Sequence, residues 1–415
     1  MMQSVTKAIL DDNRGRDAQR LRIKLDAMRA DAFAFFRGAS PLFYRTLELD
    51  QSLRASPAVL ACGDLHLQNF GSYKGDNRLV YFDVIDFDES CVAPAAFELV
   101  RFLSSVLLAG NALKASDKIM ATLIEGFVET YAANLISKKP RWVERPLATG
   151  PVKLLLQSLK GRRRRDLIKA RTRRKAGKIR LIIDGKRTLA ASKQEHAQAR
   201  SILNAYARTQ SSADFFEPID IARRIAGNGS LGLERYVALV QGNGEIDGQY
   251  LIDIKLAHAS SLAAHVATPI DIRQPRWNHE AQRVATLQGI TQAIAPALLG
   301  AVAPVGWGKR SYLIKELQPT ADRVDFSALK GKSGTLNSLI QTMAQVTAWG
   351  HLRGCGRYGA ATVDALASFA ARAEWRHQII RCTHSAQQLV VRQWHAYTKD
   401  YDADPQQLIA AALKN

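Results

Sequence analysis

Two polar clusters at the ends of one short apolar hairpin constrain this chain more than any other feature. The stretch Cys62-Gly-Asp-Leu-His-Leu-Gln-Asn-Phe-Gly71 leaves an apolar strand at 58–61 and places Asp64 five residues before Asn69. Residues 72–74 lead into a turn at Gly75-Asp76-Asn77. A strand over 78–85 follows and ends in Asp86-Phe-Asp-Glu89. An antiparallel hairpin folded at that turn brings the start of one strand beside the end of the other. Asn69 and Asp86 are therefore expected at one end of the hairpin, with Asp64 one loop away. Two oxygen ligands and a spare carboxylate are what Mg²⁺-dependent phosphoryl transfer requires. The alternative is a turn-rich acidic hairpin whose carboxylates are simply solvated.

Length and charge bound the setting. At 415 residues the chain can form two domains or one large bilobal unit with substantial cores. Hydrophobic content of 47% and charged content of 23% exclude wholesale disorder. A net charge of +20 is unusual and implies attraction to nucleotides, nucleic acid, acidic substrates or a membrane surface. Cys62, Cys91, Cys355 and Cys382 lack C-x-x-C spacing, which argues against structural zinc or a disulfide framework and for a reducing compartment. Residues 1–22 mix charges without an apolar segment, so no signal peptide is expected. The most apolar stretch, 293–307, is interrupted by Pro296, Gly300, Pro304 and Gly306, so no membrane span is expected. A soluble cytoplasmic protein is the resulting expectation.

Residues 17–49 read as mostly helical with a break at Pro41, and Phe33, Phe35, Phe36 and Phe43 cluster around Arg37-Gly38. Arg37 either packs there or reaches a phosphate. An apolar helix over 95–113 carries Glu98 and Arg101 on successive turns. Glu98 is either a salt-bridged group or a brace for the loop at Asp64. A helix over 117–137 is expected to be capped by Ser116. Positive charge then concentrates in Lys160-Gly-Arg-Arg-Arg-Arg165 and in the run 169–180. With Trp142 the only aromatic nearby, the stacking platform of a single-strand nucleic-acid binder is missing. Segment 160–187 is thus either a solvated basic helix or the seat of an acidic, polyanionic partner. A polar helix over 190–209 reads as a connector.

A second informative stretch starts at Ile219. Strands are expected over 219–225, 234–241 and 249–256, with Gly227-Asn-Gly-Ser-Leu-Gly232 between the first two. A G-x-G-x-x-G between two strands argues against a dinucleotide-binding βαβ unit, whose glycines open a helix. In a hairpin tip, Gly227, Gly229, Ser230 and Gly232 instead let backbone N–H groups close over phosphates. Lys255 and Asp253 share one face of the third strand, and Lys255 matches a phosphate-pairing lysine. The alternative is a surface lysine on a half-exposed strand. Glu280, near the start of a helix over 277–295, either orients Lys255 or complements the helix dipole. The strand over 311–317, ending at Gln318-Pro319, suits a segment joining two lobes beside an adenine. An apolar helix over 336–352 carries His351, read as a packed or capping residue. Helices over 363–399 and 406–413 close the chain.

These motifs resemble the catalytic loop and metal-binding aspartate of aminoglycoside phosphotransferase-like kinases, which carry G-D-x-H-x-x-N and then an apolar strand ending in I-D-F. Phe97-Glu-Leu-Val-Arg-Phe102 sits where those kinases have a D-L-A helix, with Glu98 in place of Asp. A closer resemblance, covering most of the chain, is to the bacterial domain-of-unknown-function 2252 family. It rests on Phe33-Ala-Phe-Phe-Arg-Gly38, the core from Cys62 to Gly71, Asp86-Phe-Asp-Glu89, the glycine loop, the lysine strand, and Lys315-Glu-Leu-Gln-Pro319 with Asp322-Arg323. The kinase resemblance implies ATP and Mg²⁺ as cofactors, with Asn69 and Asp86 on the metal and Asp64 at the acceptor hydroxyl. Lys255 would sit on the α/β-phosphates. Asp88 and Glu89 would serve a second metal or a cationic acceptor, or cap a helix.

Motif order departs from kinases, because the glycine loop and lysine follow the catalytic loop by about 160 residues. The expected fold is therefore α+β, bilobal and protein-kinase-like, with circular permutation. In it, 1–137 builds the catalytic half of a helical lobe and 138–214 a basic insert and connector. Residues 215–325 form the nucleotide-gripping sheet lobe, and the helices of 326–415 return to the helical lobe. Either helix 336–352 or segment 32–47 takes the place before the catalytic loop. The expected function is phosphotransfer to an unknown acceptor. The alternatives are AMP transfer on the same fold, or a nucleotide-sensing pseudokinase or polyanion-binding module.

Overall fold

Apolar side chains sort this protein into a large helical core and a smaller core on each face of one sheet. The computed structural model describes residues 4–227, 229–245, 247–267, 272–319 and 322–413. It is a mixed α+β chain with several small antiparallel sheets. In the helical core, Asp117–Ile136 lays Leu123, Ile124, Phe127 and Tyr131 against Ser333–Gly354, which contributes Leu339, Ile340 and Met343. Full burial of each such side chain stabilises the fold by about 1.5–3 kcal/mol. Helix Ala95–Leu108 runs through this core and is buried on nearly every face, Glu98 and Arg101 included. Asp117–Ile136 is the one helix among the described residues that is long and apolar enough to cross a membrane, and its apolar stripe lies in this core. Ser116 caps it by accepting from the Ile119 N–H.

The largest sheet has six antiparallel strands in the order Gly300–Val302, Tyr312–Glu316, Tyr250–Leu256, Arg235–Val240, Pro218–Arg224 and Thr188–Leu189. Alternation along Tyr250–Leu256 separates its faces. Ile252 and Ile254 join Tyr236, Tyr312 and Ile314 beneath helix Lys193–Ala207. That helix supplies Ile202, Leu203 and Tyr206, so it covers a sheet face and is more than the polar connector its composition suggested. The opposite face carries Leu251, Asp253 and Lys255. It too is covered, so Lys255 is 4% exposed and a surface lysine is excluded.

Several local expectations are corrected. Helix Ala18–Ala30 ends at Asp31, and Pro41 does not break a helix but lies in the first turn of Ser40–Thr46, where a missing N–H costs nothing. The basic run is not one helix. Arg164–Arg171 is helical, and Thr172–Lys175 pairs with Lys178–Leu181 across Ala176 and Gly177, both at positive φ as a tight hairpin turn requires. The last long helix is split into Val363–Ala371 and Glu374–Ala403. Phe70–Lys74 and Val80–Val84 form the expected hairpin, in the register Phe70 opposite Val84.

Candidate functional site

The loop after strand Ala58–Ala61 is shaped by a glycine and gripped from below by a buried acid. Gly63 adopts φ +78°, and a Cβ there would lie 1.9 Å from the Glu89 carbonyl oxygen, so no other residue fits. The N–H groups of Cys62 and Gly63 donate to Glu98 Oε1 at 2.7 and 3.2 Å. Glu98 Oε2 meets His351 Nε2 at 2.7 Å, and His351 Nδ1 meets the Tyr131 hydroxyl at 2.8 Å. Glu98 is thus the loop brace, and His351 packs as part of that brace. Burial opposes the Glu98 charge, but the hydrogen bonds from His351 and the loop outweigh it and hold the carboxyl below its ordinary range.

Asp64 Oδ1 accepts from Arg101 Nε at 2.7 Å. Arg101 is fully buried, with its guanidinium 4.1 Å from the centroid of Phe36. Burial raises the Asp64 pKa, and Arg101 works against that rise. His66 Nδ1 accepts from the Gln68 N–H, and Arg37 Nε stands 3.3 Å from its Nε2. Burial, then Arg37, push the imidazole well below its ordinary pKa, so it stays neutral. Asn69 joins loop to hairpin. Its Nδ2 donates to the carbonyls of Asp64 and Asp86, both at 3.0 Å, and its Oδ1 accepts from the Asp86 N–H at 2.9 Å. That oxygen keeps one lone pair for a further partner.

Lys255 Nζ lies 3.4 Å from Asp86 Oδ1 across 169 residues of sequence, and it also pairs with Asp88. Burial works against the Asp86 charge. Lys255, Lys315, Arg235 and Arg323 outweigh it and hold the carboxyl well below the usual carboxylate range. Two residues back on the same strand face, Asp253 is clasped by Arg235 through both oxygens and by Arg224. Glu280 is not brought to Lys255. Its carboxylate pairs at 2.6 Å with Arg283, whose other nitrogens donate to the carbonyls of Asp88, Ser90 and His258. Glu280 therefore acts on the hairpin end through Arg283.

Among the described residues no three His, Cys, Asp or Glu side chains converge as a ready-made metal cluster. Magnesium needs less, since it is usually held by one or two carboxylates together with phosphate and water oxygens. The Asp86 carboxylate, with 42% of its side chain exposed, and the spare Asn69 lone pair fit that demand.

The glycine loop lies over Asp64. Asn228 is outside the described residues, but a Cβ on Gly229 would stand 4.0 Å from Asp64 Oδ2. Gly227 and Gly232 take φ +74° and +89°, and the Ser230 hydroxyl donates to the Ala226 carbonyl. Arg16 Nη1 donates to the carbonyls of Gly229 and Leu231, both at 2.7 Å, and Lys24 Nζ to that of Gly229 at 3.1 Å. Asp64, Asn69, Asp86, Gly227, Gly229 and Ser230 thereby line one cleft of about 610 Å³. A smaller cavity of about 120 Å³ lies beside Lys315–Pro319, and Arg162, Arg163 and Arg164 of the basic segment form part of its wall. Ile168 and Leu181 of that segment pack on Ala222, Val237, Leu251 and Leu317 of the lysine face. Arg162 and Arg180 pair with Asp322 and Asp220, so part of the charge in 160–187 is used internally.

Sequence reasoning missed Arg16, Lys24 and Arg283, which carry no motif. Arg101 and Arg323 were visible only as neighbours of motif residues.

A family model described as an uncharacterised protein conserved in bacteria, DUF2252, matches residues 16–400. The chain belongs to the DUF2252 family. The match takes in every residue of the cleft named above. No curated protein and no solved structure matches this DUF2252 chain.

Proposed function

We propose that this protein is an ATP- and Mg²⁺-dependent phosphotransferase built on a kinase-like, circularly permuted fold. The observation that supports the reading is the meeting of Lys255 with Asp86 at 3.4 Å, where Asp86 lines the same cleft as Gly227, Gly229 and Ser230 of the glycine loop and Lys255 stands behind that lining. Glycine loop, lysine on the third strand and metal-side aspartate form the set that kinase chemistry uses. The permuted order requires these halves to converge from distant parts of the chain.

Magnesium, when bound, neutralises phosphate charge and bridges its oxygens. Asp86 and Asn69 would hold it. Lys255 would pair with the nucleotide phosphates, held in place by Asp88 on its other side. The N–H groups of the glycine loop would close over those phosphates. Asp64, fixed by Arg101, would orient the acceptor hydroxyl and accept its proton, so most of the rate would come from positioning and charge stabilisation. Glu280 would contribute through Arg283. The four cysteines are free thiols, which suits a reducing cytoplasmic setting.

The test is calorimetric titration of ATP into the full chain with and without Mg²⁺, repeated for Asp86→Ala and Lys255→Ala. Metal-dependent binding that weakens about tenfold or more in both variants is expected. No metal-dependent binding, or binding unchanged in both, overturns the reading.

A further inference from the structure

The charges lining the 610 Å³ cleft are unevenly matched. Its carboxylates are engaged. Asp12 pairs with Arg45, Asp64 with Arg101, and Asp86 and Asp88 with Lys255, while Glu89 accepts from the N–H and hydroxyl of Ser261. Four cations of the lining have no such partner: among the described residues Arg16, Lys24, Arg37 and Arg323 form no ion pair. Arg16 donates only to loop carbonyls, and Lys24 to Asn13 Oδ1 and the Gly229 carbonyl. Arg37 donates to Gln68 and lies against the His66 ring. Arg323 makes no hydrogen bond among the described residues, although Asp86 faces it.

Carboxylates of the cleft face all four from beyond ion-pair distance, and gathering cations without a direct partner in a concave, partly desolvated site is unfavourable unless an anion completes it. Lys24 is only 2% exposed, and burial, then Arg16, push its amine well below its ordinary pKa, while burial lowers the pKa of Arg16 and of Arg37 to about 10. Guanidinium groups match phosphate oxygens in both geometry and charge. Arg37 rests on His66 and Gln68, in the same loop as Asp64, so an anion held by it would be presented beside the catalytic carboxylate. We propose that Arg16, Lys24, Arg37 and Arg323 form an oxyanion-binding wall for a phosphate group carried by the acceptor, which is therefore a phosphorylated small molecule. Assignment of that phosphate to the acceptor rests on the phosphotransfer reading. The cleft volume falls within the usual range for small-molecule sites.

The experiment is calorimetric titration of orthophosphate and of pyrophosphate into the full chain, alone and with a saturating non-hydrolysable ATP analogue and Mg²⁺. Arg37→Gln and Arg323→Gln are compared with Arg381→Gln, an exposed arginine outside the cleft that controls for net charge. Thermal melts and far-UV circular dichroism confirm that each variant is folded. The expected result is saturable binding that persists with the analogue bound, weakens about tenfold or more in either cleft variant and is unchanged in the control. Displacement of phosphate by the analogue would assign the cations to the nucleotide and overturn the proposal. So would no binding, or equal binding in all variants. Normal phosphate binding by a chain that binds no Mg²⁺–ATP would keep the oxyanion wall and remove the phosphotransfer reading.

Discussion

Asp64 and Asp253 show how single buried charges are made tolerable. Asp64 keeps 23% of its side chain exposed but faces a wholly buried Arg101, so removing the arginine strands a carboxylate and removing both removes the conflict. Arg101→Ala is expected to destabilise the protein by about 3 kcal/mol, the low end for breaking a buried pair. Denaturant unfolding of both single variants and the double variant should give a coupling energy well above zero. For Asp253, burial disfavours the charge, but Arg224 and Arg235 outweigh it and depress the folded carboxyl well below its unfolded value. A depressed acid contributes stability that is complete above the unfolded value near about 4 and is lost as pH falls through the folded one. Acid unfolding below about pH 4 should therefore be shallower in Asp253→Asn than in the native chain. Equal slopes would refute this account.

At the scale of elements, the basic segment has the most unexpected placement. Helix Arg164–Arg171 and its hairpin lie against the same sheet face that carries Asp253 and Lys255, anchored by Ile168 and Leu181. Ile168 is fully buried, so Ile168→Asp puts a charge into an apolar contact and should free the segment. Trypsin would then cut within 160–187 several times faster, while the melting of the helical core changes little. If the segment is instead as resistant as before, the apolar anchor is not what holds it. Helix Ser333–Gly354 is the second telling element. It ends beside strand Ala58–Ala61, where a Cβ on Gly354 would meet Leu60, and it supplies His351 to the brace under the loop.

The whole molecule joins distant stretches of chain. Helix Val5–Asp12 packs on both Glu374–Ala403 and Pro405–Leu413, and the Thr6 hydroxyl donates to Asp400 at 2.6 Å. Neighbouring first and last helices and an exposed connection at 208–214 are the conditions under which circular permutation is tolerated. A chain opened between Ser211 and Ser212, with its old ends joined by a short glycine–serine linker, should melt cooperatively with unchanged far-UV circular dichroism. It would also place the glycine loop and Lys255 before Asp64, the order that kinases use. Failure to fold would show that the native order of the halves is required.

Local chemistry made much of this protein legible in its sequence. Period-two alternation put Lys255 and Asp253 on one strand face, turn residues gave the hairpin joining Asn69 to Asp86, and Ser116 announced its helix. Such signals act over a few residues and need no partner. Glu280, at a helix start after the lysine strand, fits either a partner of Lys255 or an acid at the helix dipole, whereas the fold gives it to Arg283 one turn away. Only the tertiary structure could match buried polar groups between separate elements: Arg101 to Asp64 over 37 residues, His351 to Glu98 over 253, and Arg16 and Lys24 to the glycine-loop carbonyls over 213 and 205. Pairing of that kind depends on which side chains lose water together, and packing decides that.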